Sequence, residues 1–330
     1  MRAVAVRGTG ATPKGSAPEG PAPEASAPEL MELPVPLPAP GEVLVALEAA
    51  SVNPIDMGIA DGLLPMPQVY PLVLGVDGAG RVTEAGEGVR GFRPGDMVHG
   101  QFLRAPLGHG TFAEYTVVTE FPDSGALQRV PDGMPAEIAA ALPTAGMTAL
   151  GALEAIGLRS GHSVLIVGAT GGVGVFAVQL AAALGAEVVA TARPDADRWI
   201  RRLGAARTVD YTAGDTAHQV RRAHPDGVDA FLDLTRDTAR FGTYAGLVRD
   251  GGTATSVTFT APPELLASER ITVTNYAMRD KPDLLARITA EAASGRITVP
   301  VQQTVTLDEV PEALARNAKG GARGKTTVRI

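Results

Sequence analysis

Hydrophobic and polar residues alternate in short segments over residues 1–120, and Gly and Pro separate these segments from one another. Alternation with a period of two predicts β-strands that bury one face. The predicted strands cover residues 1–6, 41–49, 71–82, 96–98 and 112–118. Many short strands with turn residues between them indicate a compact β-rich domain at the start of the chain.

From residue 134 the pattern changes, and apolar strands alternate with segments of helical spacing. The predicted helices cover residues 135–141, 144–156, 174–184 and 282–294, and the predicted strands lie near 164–167, 187–191, 207–209, 228–232, 252–257 and 271–274. This alternation indicates an α/β fold with a Rossmann-type, doubly wound parallel sheet. The tail has predicted strands at 301–306 and 326–330 and a helix at 309–317, and we expect it to pack back onto the first domain.

A glycine-rich turn joins the apolar strand Val164–Val167 to the helix that begins near Gly174. Its Ala169-x-Gly171-x-x-Gly174 pattern has alanine where the first glycine is usual. Because the turn carries few side chains, its backbone can approach a pyrophosphate, and the following helix presents free N–H groups to that anion. We therefore predict a dinucleotide site at Thr170, Gly171, Gly172, Val173 and Gly174.

Composition narrows the possible partners and compartments of the protein. The formal net charge of −7 disfavours nucleic acid and anionic membranes as partners. The absence of cysteine excludes disulfides, thiolate nucleophiles and Cys-ligated zinc. Residues 163–186 carry no charged side chain, but the glycine turn interrupts them, so we interpret them as two buried elements of a soluble protein. Residues 1–6 are typical of a short first strand and not of a secretory segment, which fits a cytoplasmic setting.

Residues 10–40 are rich in Pro, Ala, Gly and Glu and contain an imperfect Ala-Pro-Glu repeat. This composition predicts an exposed, extended loop that buries little apolar surface. We therefore expect residues 10–30 to be dispensable for folding.

Six landmarks in the chain resemble the medium-chain dehydrogenase/reductase superfamily, and within it the zinc-free quinone oxidoreductase branch. They are residues 51–56, 75–80, 95–98 and 142–149, the glycine turn, and Gly324-Lys325. The resemblance covers nearly the whole chain. It implies a GroES-like catalytic domain over residues 1–124, a dinucleotide-binding Rossmann domain over 125–295 and a C-terminal return to the catalytic domain over 296–330.

The zinc-containing relatives carry cysteine at the position of Asn53 and histidine at that of Val76, and neither ligand is present here. Asp77 remains, but a catalytic zinc needs about three protein ligands. The five histidines show no ligand spacing. The residue inventory and the resemblance therefore both predict a site without metal.

The end of the second predicted Rossmann strand indicates which cofactor is preferred. A site specific for NAD usually has Asp or Glu there, whereas this chain has Arg193, whose planar guanidinium suits a 2′-phosphate. Tyr211 matches a tyrosine that contacts the adenosine phosphate in similar enzymes. We therefore favour NADPH over NADH. The alternatives are that Arg193 is a solvated loop residue and that Tyr211 is a half-buried residue at a strand end. Asp195 and Asp197 lie nearby and could weaken the positive potential of the site.

The nicotinamide end of the site is predicted from the resemblance, which implies that the hydroxyl of Thr148 contacts the nicotinamide side of the cofactor. It further implies that the segment Ser256, Val257 and Thr258 and the pair Asn275 and Tyr276 line that end. The alternative is that these residues merely form a turn and an edge strand.

Asn53 is the candidate catalytic donor, because its amide N–H₂ group could face a substrate carbonyl or the nicotinamide ribose, although Asn also suits turns. Asp56 is a candidate pocket residue with a helix-capping or loop-orienting role as the alternative. Leu64 occupies the position of a tyrosine that many similar quinone reductases have, which with Leu63 suggests an apolar lip.

These features predict an NADPH-dependent, metal-free reductase that transfers a hydride to a quinone or an activated enone. An enoyl reductase of a biosynthetic pathway and a nucleotide-binding protein without turnover are the alternatives. Simple alcohol oxidation fits less well, because no zinc lowers the pKa of the alcohol. The β-branched strand 271–274 at the predicted sheet edge, which similar enzymes use for pairing, predicts a homodimer.

Overall fold

The computed structural model describes residues 1–8, 26–122, 125–278 and 283–330. Its first part consists of eight strands and one short helix among the residues described. They are β1 (Arg2–Val6), β2 (Glu29–Glu32), β3 (Glu42–Ser51), α1 (Pro54–Ala60), β4 (Leu72–Val73), β5 (Asp77–Ala85), β6 (Met97–Gln101), β7 (Tyr115–Thr119) and β8 (Ala126–Arg129).

These strands form two antiparallel sheets. In the smaller sheet β1 lies between β2 and β4. In the larger one the order runs β3-β5-β6-β8, and β7 pairs with β3. The long β3 strand is almost entirely buried, because both of its edges are paired and its sequence is mostly Val, Leu and Ala.

The second part alternates helices and strands as the sequence predicts. The elements are α2 (Ala136–Ala141), α3 (Pro143–Ala155), β9 (Ser163–Val167), α4 (Gly174–Ala183), β10 (Glu187–Thr191), α5 (Pro194–Arg202), β11 (Arg207–Val209), α6 (Thr216–Ala223), β12 (Val228–Asp233), α7 (Thr238–Ala245), β13 (Val248–Ser256), α8 (Pro263–Leu266), β14 (Thr272–Asn275) and α9 (Asp283–Ala293).

The six strands of this part are parallel and lie in the order β11-β10-β9-β12-β13-β14. This is the order of a doubly wound nucleotide-binding sheet, with its switch point between β9 and β12. All five residues of β9 are buried, as expected for a central strand covered by helices on both faces.

The tail consists of β15 (Val301–Thr306), a 3₁₀ turn (Leu307–Glu309), α10 (Val310–Ala318) and β16 (Lys325–Arg329). β15 is parallel to β16, and β16 pairs antiparallel with β3, so the tail extends the large sheet of the first part. Among the residues described, no helix is long and apolar enough to cross a bilayer.

The structure differs from the sequence prediction at three places in the first part. The predicted strand 71–82 is two strands, β4 and β5, separated by a turn at Gly75, where φ is +93°. The segment predicted as a loop contains β2, because Met31 packs with Ala3 and Ala5 of β1. Residues 9–25, most of the segment predicted to be dispensable, lie outside the described residues.

The third difference concerns the predicted boundary at residues 124/125, which separates β7 from β8. β8 pairs with β6, so the β-rich unit extends at least to Arg129. Only four residues of mixed polarity make up β8, which is too short a pattern to predict a strand. The two parts also contact each other, since Gln128 Nε2 donates to Thr289 Oγ1 at 2.6 Å.

Candidate active site

The glycine turn between β9 and α4 has the backbone that a dinucleotide site needs. Gly168 has φ +84°, a conformation that glycine adopts without strain. At Gly174 an added Cβ would lie 2.3 Å from the Gly168 carbonyl oxygen, so only glycine permits this close helix–strand packing. The glycine pattern has alanine at its first position, residue 169. The preceding residue, Gly168, provides the turn conformation instead.

The same turn leaves backbone donors free for an anion. The N–H groups of Gly172 and Val173 have no backbone acceptor within the described parts of the chain. An added Cβ at Gly171 would meet nothing closer than the Gly168 oxygen at 3.4 Å, so the space above the turn is open. These features, together with the N-terminus of α4, fit the pyrophosphate of a dinucleotide.

The two residues predicted to select the cofactor lie together at the carboxyl ends of neighbouring strands. Arg193 follows β10, Tyr211 follows β11, and Arg193 Nε donates to the Tyr211 hydroxyl at 3.0 Å. The guanidinium carbon also lies 6.0 Å from the centre of the Tyr211 ring. The hydrogen bond to Tyr211 raises the pKa of Arg193, which keeps the guanidinium charged.

Asp195 and Asp197, the two acidic residues considered above, form ion pairs with other arginines, although Asp195 and Asp210 also interact electrostatically with Arg193. Asp195 forms an ion pair with Arg323. Asp197 accepts from Arg201 Nε at 2.9 Å and also bonds the hydroxyl of Thr208. Most of the donors of the Arg193 guanidinium therefore remain available for a phosphate.

Asn53 is buried, and all the polar atoms of its side chain are already bonded. Nδ2 donates to the Ser51 carbonyl at 3.2 Å and to Asp77 Oδ2 at 2.9 Å, while Oδ1 accepts from Lys325 Nζ at 2.6 Å. Because an amide has only two N–H donors, none remains for a substrate. The structure thus does not support the predicted donor role and makes Asn53 the link between Asp77 and Lys325.

Strand register brings this cluster together. Ser51 at the end of β3 is the cross-strand neighbour of both Asp77 on β5 and Thr327 on β16. Lys325 lies two residues before Thr327, and its Nζ also donates to the Val52 carbonyl at 3.2 Å. The three strands therefore place a carboxylate, an amide and an ammonium in one buried row.

Asp77 is fully buried and accepts hydrogen bonds from several donors. Thr144 contributes its backbone N–H at 3.1 Å and its hydroxyl at 2.7 Å. Burial raises the pKa of Asp77, while Lys325 and the hydrogen bonds of Thr144 oppose that shift. The N–H groups of Thr144 and Asn53 donate to the carboxyl oxygens of Asp77 and favour its ionised form, against the effect of burial.

Asp56 caps helix α1, which agrees with the alternative prediction of a helix-capping role for this residue. It has no exposed surface, and its Oδ2 accepts from the Asn53 N–H at 2.7 Å. Asp56 therefore does not line an open pocket, contrary to the prediction. Burial raises the pKa of Asp56 to about 8, so this carboxyl is mostly protonated at neutral pH.

Thr148 lies one helical turn beyond Thr144 on the same side of α3. It is half-buried, and its hydroxyl makes no hydrogen bond to any residue that the structure describes. Thr148 is thus a free hydroxyl next to the Asp77 cluster, where the resemblance places a contact with the nicotinamide.

The residues predicted to line the nicotinamide end instead hold their own loop. The Ser256 hydroxyl accepts the backbone N–H groups of Thr258 and Thr260, both at 3.1 Å. The Asn275 amide bonds both backbone groups of Ala261. These hydrogen bonds agree with the turn and edge-strand interpretation of Ser256, Thr258 and Asn275, and their role at the nicotinamide end stays a prediction.

Two further predicted residues of this end point into the protein. The Tyr276 hydroxyl packs against Gly151 of α3, where an added Cβ would lie 1.9 Å from it. Val257 packs against the core of the second part. These two side chains are not brought into the predicted site.

The predicted lip has one exposed and one inward-facing leucine. Leu63 is 73 % exposed, whereas Leu64 is half-buried and packs on the core beside α1. An added Cβ at Gly58 would lie 3.9 Å from Leu64 Cδ1. Leu63 is therefore the more accessible of the two leucines to a molecule at the surface.

Lys325 and Thr144 belong to this cluster, although no sequence pattern predicted a role for either of them. The sequence contained one indication of a role for Lys325. It is one of only four lysines in the chain, and it lies in a strand of alternating polar and apolar residues. Over the described residues, no group of three or more His, Asp or Glu side chains is arranged to hold a metal ion.

Comparison with known proteins agrees with this architecture. Residues 39–128 match the alcohol dehydrogenase GroES-like domain family, and residues 172–284 match the zinc-binding dehydrogenase family. The mitochondrial NAD(P)H oxidoreductase RTN4IP1 of Mus musculus is 31% identical over 91% of this chain and 84% of its own length. The chloroplastic quinone-oxidoreductase QR1 of Triphysaria versicolor is 30% identical over 90% of this chain and 92% of its own length.

The fold also matches solved structures over its full length. The quinone oxidoreductase from Coxiella burnetii superposes with a TM-score of 0.82 at 25% sequence identity, and the match covers 100% of both chains.

Proposed function

Because the chain belongs to the medium-chain dehydrogenase/reductase superfamily of oxidoreductases, in its quinone-oxidoreductase-like branch, we propose that it is an NADPH-dependent, metal-free reductase of quinones. The observation that carries this proposal is the Arg193–Tyr211 pair beside the glycine turn. It offers a guanidinium where an NAD-specific site has a carboxylate.

The cofactor supplies the hydride in such a reaction. The residues of this chain bind and orient it: the turn from Thr170 to Gly174 accommodates the pyrophosphate, and Arg193 binds the 2′-phosphate. Thr148 lies on α3, near the buried Asp77 cluster. These roles need no metal ion.

The internal bonding of Asn53 bears on the choice of acceptor. With no amide hydrogen free, the site lacks the side-chain donor that was predicted to stabilise a developing oxyanion. A quinone suits such a site, because it accepts a hydride readily and its product phenolate takes a proton from water. An enone is less well suited, because it also needs a proton delivered to its α-carbon.

A panel of acceptors tests the proposal. NADPH oxidation is followed with quinones, α,β-unsaturated ketones and enoyl thioesters under otherwise identical conditions. We expect the quinones to give the highest kcat/KM. Exclusive use of enoyl thioesters would favour a biosynthetic enoyl reductase, and no acceptor-dependent oxidation would leave the protein as a nucleotide binder without turnover.

A further inference from the structure

Phe259 lies in the loop that follows β13 and has an unusual backbone conformation. Of the non-glycine residues that the structure describes, it alone has a positive φ, +61°. This left-handed conformation is unfavourable for a bulky side chain, because its Cβ is crowded by the neighbouring peptide. A residue such as Phe259 therefore adopts it only where the surrounding structure fixes the backbone.

Hydrogen bonds on both sides of Phe259 fix this loop. Thr258 and Thr260 each donate a backbone N–H to the Ser256 hydroxyl at 3.1 Å. Thr260 Oγ1 also donates to Asp233 Oδ2 at 2.8 Å, which ties the loop to the end of β12. The residue before Phe259 and the residue after it are thus both held in place.

The fixed loop presents the ring of Phe259 to the solvent. The residue is 62% exposed and belongs to none of the hydrophobic clusters within the described residues. Burial of an aromatic ring stabilises a fold, but a ring that stays exposed contributes little of this free energy. Packing therefore does not account for the strained conformation, and strain of this kind is typical of functional sites.

The loop borders the part of the sheet where the hydride acceptor is expected. Arg193 follows β10 and Tyr211 follows β11, so the adenosine end of the proposed dinucleotide lies on that side of β9. The nicotinamide end then extends to the other side, over the ends of β12 and β13. Thr235 connects the loop to the glycine turn. An added Cβ at Gly168 would lie 3.3 Å from Thr235 Cγ2, and the Thr235 carbonyl accepts from the Thr258 hydroxyl.

We infer that Phe259 is a specificity-determining residue whose ring stacks on the outer ring of a fused-ring quinone. The reacting ring of such an acceptor faces the nicotinamide, so its second ring points towards the mouth of the site, where the exposed side chain lies. This inference rests on the proposed function, because it requires a quinone as the acceptor. It adds a preference for quinones of two or more fused rings over quinones of a single ring.

Naphthoquinone and benzoquinone differ by one fused ring and therefore test this preference. Phe259→Leu keeps an apolar side chain and removes the aromatic face. We expect it to raise the KM for naphthoquinone by about three- to tenfold with little change in kcat, and the KM for benzoquinone by less than about twofold. The two quinones differ in reactivity, but this difference cancels when each variant is compared with the wild type.

Two further variants complete the comparison. Phe259→Tyr retains the aromatic face and should have the KM values of the wild type. Phe121→Leu removes an aromatic side chain of the first part that is 81% exposed, and it is the matched control. It should leave both KM values unchanged.

The variant Phe259→Gly tests whether the ring is free of the fold. Glycine adopts a φ of +61° without strain, so the variant should melt close to or above the Tm of the wild type. It should also lose the preference for naphthoquinone, as Phe259→Leu does. A Tm lowered by more than about 5 °C would overturn the inference, because it would show that the ring stabilises the fold.

The kinetic results distinguish failure of the inference from failure of the proposed function. If the wild type oxidises NADPH with both quinones and Phe259→Leu has the same ratio of KM values, the inference is overturned and the proposed function stands. An equal rise in both KM values would overturn it too, because it would indicate a general disturbance of the site. If the wild type oxidises NADPH with neither quinone, the proposed function itself fails, and the inference with it.

Discussion

At the scale of single residues, most polar side chains near the proposed site bond to the protein itself. Asn53 bridges Asp77 and Lys325, and Ser256 and Asn275 hold the loop that follows β13. Recognition of a ligand is then left to the backbone of the glycine turn and to a few cationic or hydroxyl groups.

Replacement of Arg193 by alanine should remove the preference for NADPH. The guanidinium is already oriented by Tyr211 and can form charge-assisted hydrogen bonds to a 2′-phosphate. We expect Arg193→Ala to weaken NADPH binding by about 10- to 100-fold and to leave NADH binding nearly unchanged. Fluorescence titration measures both affinities, and Arg198→Ala on α5, the helix that follows Arg193, is the control. Equal affinities of the wild type for the two cofactors would contradict the assignment.

His99 should make stability depend on pH. Its Nδ1 bonds the Ala139 carbonyl at 2.8 Å, and its Nε2 lies 3.0 Å from Gln128 Nε2, a donor, so the neutral ring is satisfied. Burial lowers the pKa of His99 to about 4. As the pH falls, His99 is therefore protonated in the unfolded chain before it is protonated in the folded protein. The free energy of unfolding decreases as the pH falls from about 6.5 towards 4.

The expected loss reaches about 3 kcal/mol at the lower end of this range. Denaturant unfolding of wild type and His99→Gln between pH 7.5 and about 4 isolates the effect, because other groups titrate in both proteins. Asp56, whose raised pKa has the opposite effect on stability, cancels in that difference. A wild-type stability that changes in parallel with that of His99→Gln would show that His99 does not contribute.

At the level of secondary-structure elements, two nearby glycines of the β9–turn–α4 unit have different roles. Gly174 permits close packing of the helix on the strand, and Gly171 leaves space for a ligand. An added Cβ at Gly174 would clash with backbone atoms of Gly168 and Ala169, whereas at Gly171 it would enter open space. The two positions therefore allow the folding and the binding roles of the unit to be separated.

Gly174→Ala should destabilise the fold by about 1–3 kcal/mol through overpacking. Gly171→Ala should change stability by less than about 0.5 kcal/mol, yet weaken NADPH by about tenfold, because a methyl group blocks close approach of the pyrophosphate. Thermal unfolding and cofactor titration of both variants test this. The reverse pattern, with a stable Gly174→Ala and an unstable Gly171→Ala, would refute it.

The sequence was sufficient to predict this unit because its signals are local: an apolar strand, a glycine turn and a helix follow one another directly. The Asn53–Asp77–Lys325 row depends on the register of three strands that are far apart in the chain, and no local pattern encodes that register. Strand β2 was missed because its four residues, Glu29–Glu32, alternate too briefly within a proline-rich segment. Local chemistry was thus predictable, and long-range pairing was not.

At the scale of the whole molecule, β14 leaves one edge of the parallel sheet unpaired among the described strands. Tyr276 donates its N–H across to the Ser256 carbonyl on β13. Because N–H groups alternate along a strand, the N–H of Val273 faces the open edge. We propose that a second copy pairs there about a two-fold axis.

Val273→Pro should convert this dimer to a monomer, since proline removes a donor at the edge without breaking the pairing with β13. Val273→Ala, which keeps the N–H, should remain dimeric. Light scattering at equal protein concentrations measures the mass of each. A monomeric wild type would show that the edge is not used for pairing.

The proposed function requires this protein to reduce quinones with NADPH and without a metal. Quinone-dependent NADPH oxidation, measured before and after exhaustive dialysis against a chelator and with the metal content determined, tests it most directly. We expect the same turnover in the metal-depleted protein and no gain on addition of zinc. Loss of turnover on dialysis that zinc restores, or no quinone-dependent oxidation in either sample, would contradict it.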